Sequence, residues 1–273
     1  MSGPERMSGP DFLRRHTGVL HTRAGGAFPG SHAVFRGQDL HRDLQQLEWV
    51  ALYAYGVTGR RLTPQQVEMV QALWVSTSYP DARLWNNRVA ALAGNARSSV
   101  NLGMIAGVAV SEATVYGGNA ALRSMRFLQT TLERLRAGEA LADIVWAETA
   151  QRRIYGYGRP INSTDERLPV IMAIAERLGM HEGAHLKLAF DIERVLLTRY
   201  GQLRMNFTAL HAALVADMGL SIREYQLLRV PVFLGGMAPC VAEAAEKPEG
   251  SLFPTPCDAV AYDGPAERPW VRG

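Results

Sequence analysis

Two neighbouring segments concentrate the residues that matter most for chemistry. Ile154-Tyr155-Gly156-Tyr157-Gly158-Arg159 is a glycine-rich turn ending in a fixed positive charge, and Thr164-Asp165-Glu166-Arg167 follows it with two acids and a second arginine. Read by themselves, they make a turn before a capped helix, with Asp165 and Arg167 solvated. Ser78-Tyr79-Pro80-Asp81-Ala82-Arg83-Leu84-Trp85-Asn86-Asn87-Arg88 is unusually polar for a stretch that follows an apolar helix. Asp81, Arg83, Trp85, Asn86, Asn87 and Arg88 either line a polar pocket or stabilise an interhelical turn or dimer seam. His211 lies three residues after Thr208 and shares its face if both are helical, so it is a candidate base; the alternative is a partly buried histidine with a backbone partner. His181-Glu182-Gly183-Ala184-His185 spells a zinc motif that needs both imidazoles on one helical face. Gly183 interrupts it and no third ligand suggests itself, so no metal site is expected.

The elements that position these groups read as helices. Thr63-Pro64-Gln65-Gln66 combines an N-cap, a proline at the first helical position and a capping-box glutamine. Ser163-Thr164-Asp165-Glu166 and Ser221-Ile222-Arg223-Glu224 fit the same box. Apolar residues recur at helical spacing in Val67, Val70, Leu73 and Trp74, and again in Leu186, Phe190, Val195 and Leu196. Alternating runs of strand length are missing, which predicts an all-α chain. The repeated Met-Ser-Gly-Pro at the start reads as a disordered leader or a misassigned start with Met7 as the first residue, and residues 11–38 read as extended or loop. Pro248, Pro254, Pro256, Pro265 and Pro269 forbid a long helix at the C-terminal end, so the tail is either disordered or an extended arm that wraps over a partner, and Trp270 favours the arm.

Composition narrows the function classes. Hydrophobic residues make up 47% and charged residues 20%, ordinary values for a globular protein. A net charge of only +3 without basic runs argues against nucleic acid as a partner. Two cysteines are too few for a disulfide framework. No apolar run is expected to span a membrane, no secretory signal is evident, and cytoplasm is the default location.

The chain resembles the citrate synthase and citryl-CoA lyase superfamily. Gly156–Arg159 and Asp165-Glu166-Arg167 are similar to that family's Gly-x-Gly-His and Asp-Pro-Arg segments. Phe35-Arg36-Gly37-Gln38-Asp39-Leu40, Val115-Tyr116-Gly117-Gly118-Asn119-Ala120 and Met205-Asn206-Phe207-Thr208 resemble three further family segments in the same order. Leu220–Val241 and Phe253–Tyr262 look like its late helix and C-terminal arm. The length is similar to that of the short members, citryl-CoA lyase and the C-terminal domain of ATP-citrate lyase. The resemblance implies a large helical domain from residues 31–118 and 220–247, a smaller inserted helical domain at 119–219, a flexible leader at 1–30 and an arm at 248–273. It also implies a homodimer with sites in the cleft between the domains.

By the resemblance, Tyr116, Arg159 and Thr208 stand where the family has its two catalytic histidines and its carboxylate base. A threonine hydroxyl is no carboxylate, and arginine neither gives nor takes protons near neutrality. General acid–base steps contribute ~10²–10⁴-fold, so standard citrate synthesis or citryl-CoA cleavage is not expected. The places of two ligand-gripping arginines hold Gly236 and Pro254. Arg167 keeps the role of binding a substrate carboxylate, for which a planar fork is suited. Tyr116 and Arg159 together suit charge stabilisation of an oxyanion. Gly156, Tyr157 and Gly158 would contribute to a coenzyme A site, with the thioester as substrate rather than a bound cofactor. The resemblance thus implies a diverged enzyme acting on an acyl-CoA or related carboxylic acid. The alternative is a catalytically silent subunit or binding protein that associates with an active paralogue.

Overall fold

A computed structural model describes residues 9–18, 20–114, 117–159 and 164–270. The chain divides into two compact units, Met1–Val67 and Glu68–Gly273.

The first unit contains a small sheet, which the all-α expectation did not include, although residues 11–38 read as extended or loop. Helix α1 spans Gly9–His16, and strands β1 (Gly25–Phe28), β2 (His32–Phe35) and β3 (Gln38–Asp39) pair antiparallel in that order. β1 therefore falls within the segment expected to be a flexible leader. The strands are four, four and two residues long, too short to leave an alternating pattern in the sequence. Arg36 and Gly37, both at positive φ, form the two-residue turn between β2 and β3. Helix α2, Trp49–Thr58, is fixed to this turn from both sides. Arg36 donates from Nε and Nη2 to Gly56 O (2.9 and 2.7 Å), and Tyr55 Oη donates to Arg36 O (2.7 Å). Helix α3, Pro64–Val75, begins with the expected box: Gln66 N donates to Thr63 Oγ1 and Thr63 N to Gln66 Oε1.

The second unit is helical: α4 (Trp85–Asn95), α5 (Val100–Val110), α6 (Gly118–Arg136), α7 (Leu141–Gln151), α8 (Arg167–Arg177), α9 (Ala184–Leu197), α10 (Phe207–Asp217), α11 (Ile222–Arg229) and α12 (Leu234–Glu246). α10 is its axis. Its sequence is apolar on every side, as a helix enclosed by others must be. Ala209 through Ala216 are all buried, with α6 and α9 packed against it. A second layer is built from α4, α5 and α12. There Gly94 lets α4 approach α12, since a Cβ would lie 2.6 Å from Val241 O.

Ser221 and Glu224 complete the predicted capping box of α11. The box proposed at Ser163 falls partly outside the described residues, and α8 begins later, at Arg167. Ile222–Glu246 contains an apolar window long enough to cross a bilayer, contrary to the expectation. Half of that window is buried and the α-helix is interrupted by the 3₁₀ turn Pro231–Phe233, as suits a core element. Beyond Glu246 the described residues form no helix or strand apart from one 3₁₀ turn at Cys257–Ala259. Asn95, itself buried, fastens its start: Nδ2 donates to Ala244 O (3.1 Å) and Pro248 O (2.9 Å), and Leu252 N donates to Oδ1 (2.9 Å).

Candidate functional site

Within the second unit a cleft of about 350 Å³ opens between the glycine turn, the start of α10 and the segment before α4. That volume lies in the roughly 300–1,000 Å³ range of small-molecule sites. The glycine turn is zipped to the strand-like entry of α10. Gly158 N donates to Arg204 O (2.7 Å), Asn206 N to Gly156 O (2.9 Å) and Asn206 Nδ2 to Gly158 O (2.7 Å). Gly156 (φ 94°) and Gly158 (φ 78°) adopt left-handed backbone, and a Cβ on Gly156 would meet Ala209 Cβ and Ser124 Oγ at 2.7 Å. Both glycines and Tyr157 line the cleft. Tyr157 also anchors the turn, its buried hydroxyl donating to Ala189 O (2.9 Å). Burial above all, with Glu193 nearby, pushes its phenol well above the usual range.

Asp165 and Arg167 form the centre of the wall. Asp165 is 3% exposed and accepts four hydrogen bonds. They come from Arg167 Nε (2.8 Å), Nη2 (2.7 Å) and backbone N (3.3 Å), and from Phe207 N (2.9 Å). Burial alone would raise its pKa, but these donors, Arg167 first, hold it below the usual carboxylate range. The guanidinium of Arg167 lies between the rings of Phe207 (4.4 Å) and Tyr79 (5.3 Å). The predicted carboxylate-binding arginine therefore faces the cleft with a carboxylate already on its edge.

Arg159 donates to Glu166 Oε2 (2.8 Å) and Thr164 O (2.8 Å), while Tyr79 Oη donates to Glu166 Oε1 (2.9 Å). Glu166 thus joins the glycine turn to the segment before α4 at the rim. Its own pKa is lowered by a backbone bond first, then by Arg159 and Tyr79.

Thr208 lines the cleft, but His211 does not. The imidazole is buried between Phe207 and Tyr225, with Arg229 Nη1 donating to Nδ1 (3.2 Å). Burial first, then Arg229 and Arg167, press its pKa well below the usual value, so it is neutral. Its partner is a side chain rather than the backbone group anticipated.

The polar segment divides. Asn86 and Asn87 line the cleft, and Asn87 donates to Tyr79 O (2.6 Å) and Asp81 O (3.0 Å), holding the turn ahead of α4. Asp81, Arg83, Trp85 and Arg88 are not part of the lining. Asp81 is gripped by Arg83, and Arg88 lies over the ring of Phe253 (5.0 Å), against the C-terminal segment. Tyr116 lies outside the described residues. The His181/His185 pair is split: His181 precedes α9, while His185 hydrogen-bonds Asp217 (2.8 Å). Among the described residues no three metal-binding side chains converge.

Sequence reasoning overlooked Arg229, Arg153 and Tyr79, all of which line the cleft, and treated Asp165 as secondary. Only Asp165 carried a signal, its spacing of two from Arg167.

Fold and site together define a mostly helical protein with an arginine-lined small-molecule cleft. Residues 26–247 match the family described as citrate synthase, C-terminal domain, and the chain belongs to that family. Its fold is similar to citryl-CoA lyase from Hydrogenobacter thermophilus, with a TM-score of 0.80 at 23% identity over 92% of this chain and 97% of that one. ATP citrate lyase from Methanothrix soehngenii, in complex with citrate and coenzyme A, gives 0.75 at 15% identity. That match covers 98% of this chain but 46% of the other, so the chain spans about half of that enzyme. Citrate synthase from Thermoplasma acidophilum, in complex with carboxymethyl coenzyme A and oxaloacetate, gives 0.61 at 17% identity over 82% of this chain and 59% of that one. No curated protein sequence matches the chain.

Proposed function

We propose that the chain is a diverged citrate-synthase-like enzyme acting on an acyl-CoA or related carboxylic acid, by chemistry other than standard citrate synthesis. The observation that carries this reading is the open cleft with Arg153, Arg159, Arg167 and Arg229 in its wall. A scaffold kept only for association has no need of a ligand-sized, cationic opening. The ligands of a similarly folded protein, citrate and coenzyme A, belong to the same chemical class. In this reading Arg167 and Arg159 stabilise negative charge, and the Gly156–Gly158 backbone borders the thioester. Association as a homodimer fits the exposed apolar residues Val100, Leu102 and Ile105 on α5.

Thermal melting with coenzyme A, acetyl-CoA, citryl-type thioesters and di- and tricarboxylic acids tests the reading. A ligand at a hundred times its Kd stabilises by about 2.7 kcal/mol, enough to raise Tm by several degrees. No shift with any of them sinks it.

A second reading, a silent subunit beside an active paralogue, is favoured by one feature. Both acids near the cleft, Asp165 and Glu166, are engaged by arginines, and neutral His211 is walled off. Thioester binding without turnover, together with recovery of a paralogous subunit, is the result that selects it.

A further inference from the structure

Arg229 is the last residue of α11 and only 7% exposed, yet it contributes to the cleft wall. The hydrogen-bond and ring partners of its guanidinium are neutral. Nη1 donates to His211 Nδ1 (3.2 Å) and Tyr225 Oη (3.3 Å), and the guanidinium lies 5.5 Å from the ring centres of Tyr225 and Phe233. Nε is buried without a partner. Among the described residues no carboxylate stands within ion-pair distance of it. Its charge is compensated in part by the partial negative charge at the end of α11 and by the two aromatic faces. Buried charges are ordinarily paired, because removing an ion from water without a counter-ion is costly. Arg167, the other arginine deep in the wall, obeys this rule through Asp165; Arg229 does not.

Resting on the reading of the cleft as a carboxylic-acid site, we infer that Arg229 is an anion seat that receives a carboxylate of the ligand. His211 and Tyr225 are its positioning residues. Both are buried and neutral, and they hold the guanidinium from one side without cancelling its charge. The ligand must then carry more than one anionic group. One carboxylate pairs with Arg229 while the rest of the molecule reaches the rim, where Arg153 and Arg159 stand. A monoacid has no second group to span that distance, so the site discriminates by charge number.

Melting temperatures of the full chain with acetate, succinate and citrate, at matched ionic strength, test this. Succinate and citrate are expected to raise Tm and acetate to leave it unchanged. Arg229→Gln keeps a neutral donor for His211 and Tyr225 but deletes the charge. It is expected to fold with an unchanged or higher Tm and to weaken succinate binding at least tenfold. Arg229→Lys is expected to retain part of the affinity, and it serves as the working comparison if Arg229→Gln does not fold. Undiminished succinate binding in Arg229→Gln, equal losses in Lys and Gln variants, or an acetate shift matching that of succinate would overturn the anion seat while leaving the cleft reading intact. No response of the wild type to any acid or thioester removes both.

Discussion

Asp165→Asn is the sharpest perturbation of the site, because one carboxylate secures two elements. Its side chain is fully buried and that of Arg167 is 22% exposed. The carboxylate also accepts from Phe207 N, so it fixes the start of α10 against the start of α8. Losing one partner of a fully buried pair costs about 3–5 kcal/mol. Arg167 retains some water and two aromatic faces, which lowers the expectation to about 3 kcal/mol. Unfolding entropy of about 2.1 cal/mol/K per residue gives about 0.6 kcal/mol/K for this chain, so Tm should fall by about 5 °C. The pH dependence follows from the sign of the shift. The folded pKa of Asp165 lies below its unfolded value, so its contribution is present above that unfolded value, about 3.9, and fades as pH drops through the folded one. Melts of wild type and Asp165→Asn from pH 3 to 8 should therefore show a constant gap above pH 5 that closes in acid. A gap below about 1 °C at pH 7, or one that widens in acid, would refute the assignment of Asp165 as the ionised centre of the wall.

Gly156→Ala combines a left-handed φ with 2.7 Å approaches to Ala209 and Ser124, and should cost about 3 kcal/mol in chemical denaturation. Glu166→Gln should change stability by less than about 1 kcal/mol, since the carboxylate is 60% exposed, yet should tighten succinate binding by releasing Arg159. Isothermal titration that finds weaker binding would count against Glu166 as a competitor for Arg159. Asn95→Ala removes three hydrogen bonds that hold the C-terminal segment and should cost about 2 kcal/mol. Cleavage beyond Pro248 in limited proteolysis should accelerate with it.

Features written locally in the chain were legible in it. The Thr63 and Ser221 boxes close within four residues, and the glycine turn announces its backbone by composition. Features assembled over distance were not. Asp165 reads as a solvated acid because its fourth donor, Phe207 N, lies 42 residues away. Arg229 carries no local signal, since nothing nearby in sequence shows that His211 will reach it from 18 residues upstream. The sheet escaped notice because three strands this short have no period to detect. Arg88 and Asp81 were grouped with Asn86 and Asn87 by proximity, but a helix start sends neighbours in different directions, and only the asparagines turn to the cleft.

The same geometry limits which reactions the cleft can support. Proton abstraction needs a group that is accessible and free to change charge. Asp165 is held ionised by its donors, His211 is neutral and walled off, and Glu166 is committed to Arg159 and Tyr79. What the wall offers in quantity is fixed positive charge in a partly dry recess, where electrostatic stabilisation is strongest. Under the proposed function, chemistry here is therefore weighted toward holding and polarising an anionic ligand. If turnover is found, its proton acceptor is either the ligand itself or Glu166 freed by the ligand displacing it from Arg159. Glu166→Gln separates the two: unchanged turnover with tighter binding points to the ligand, and lost turnover with tighter binding points to Glu166.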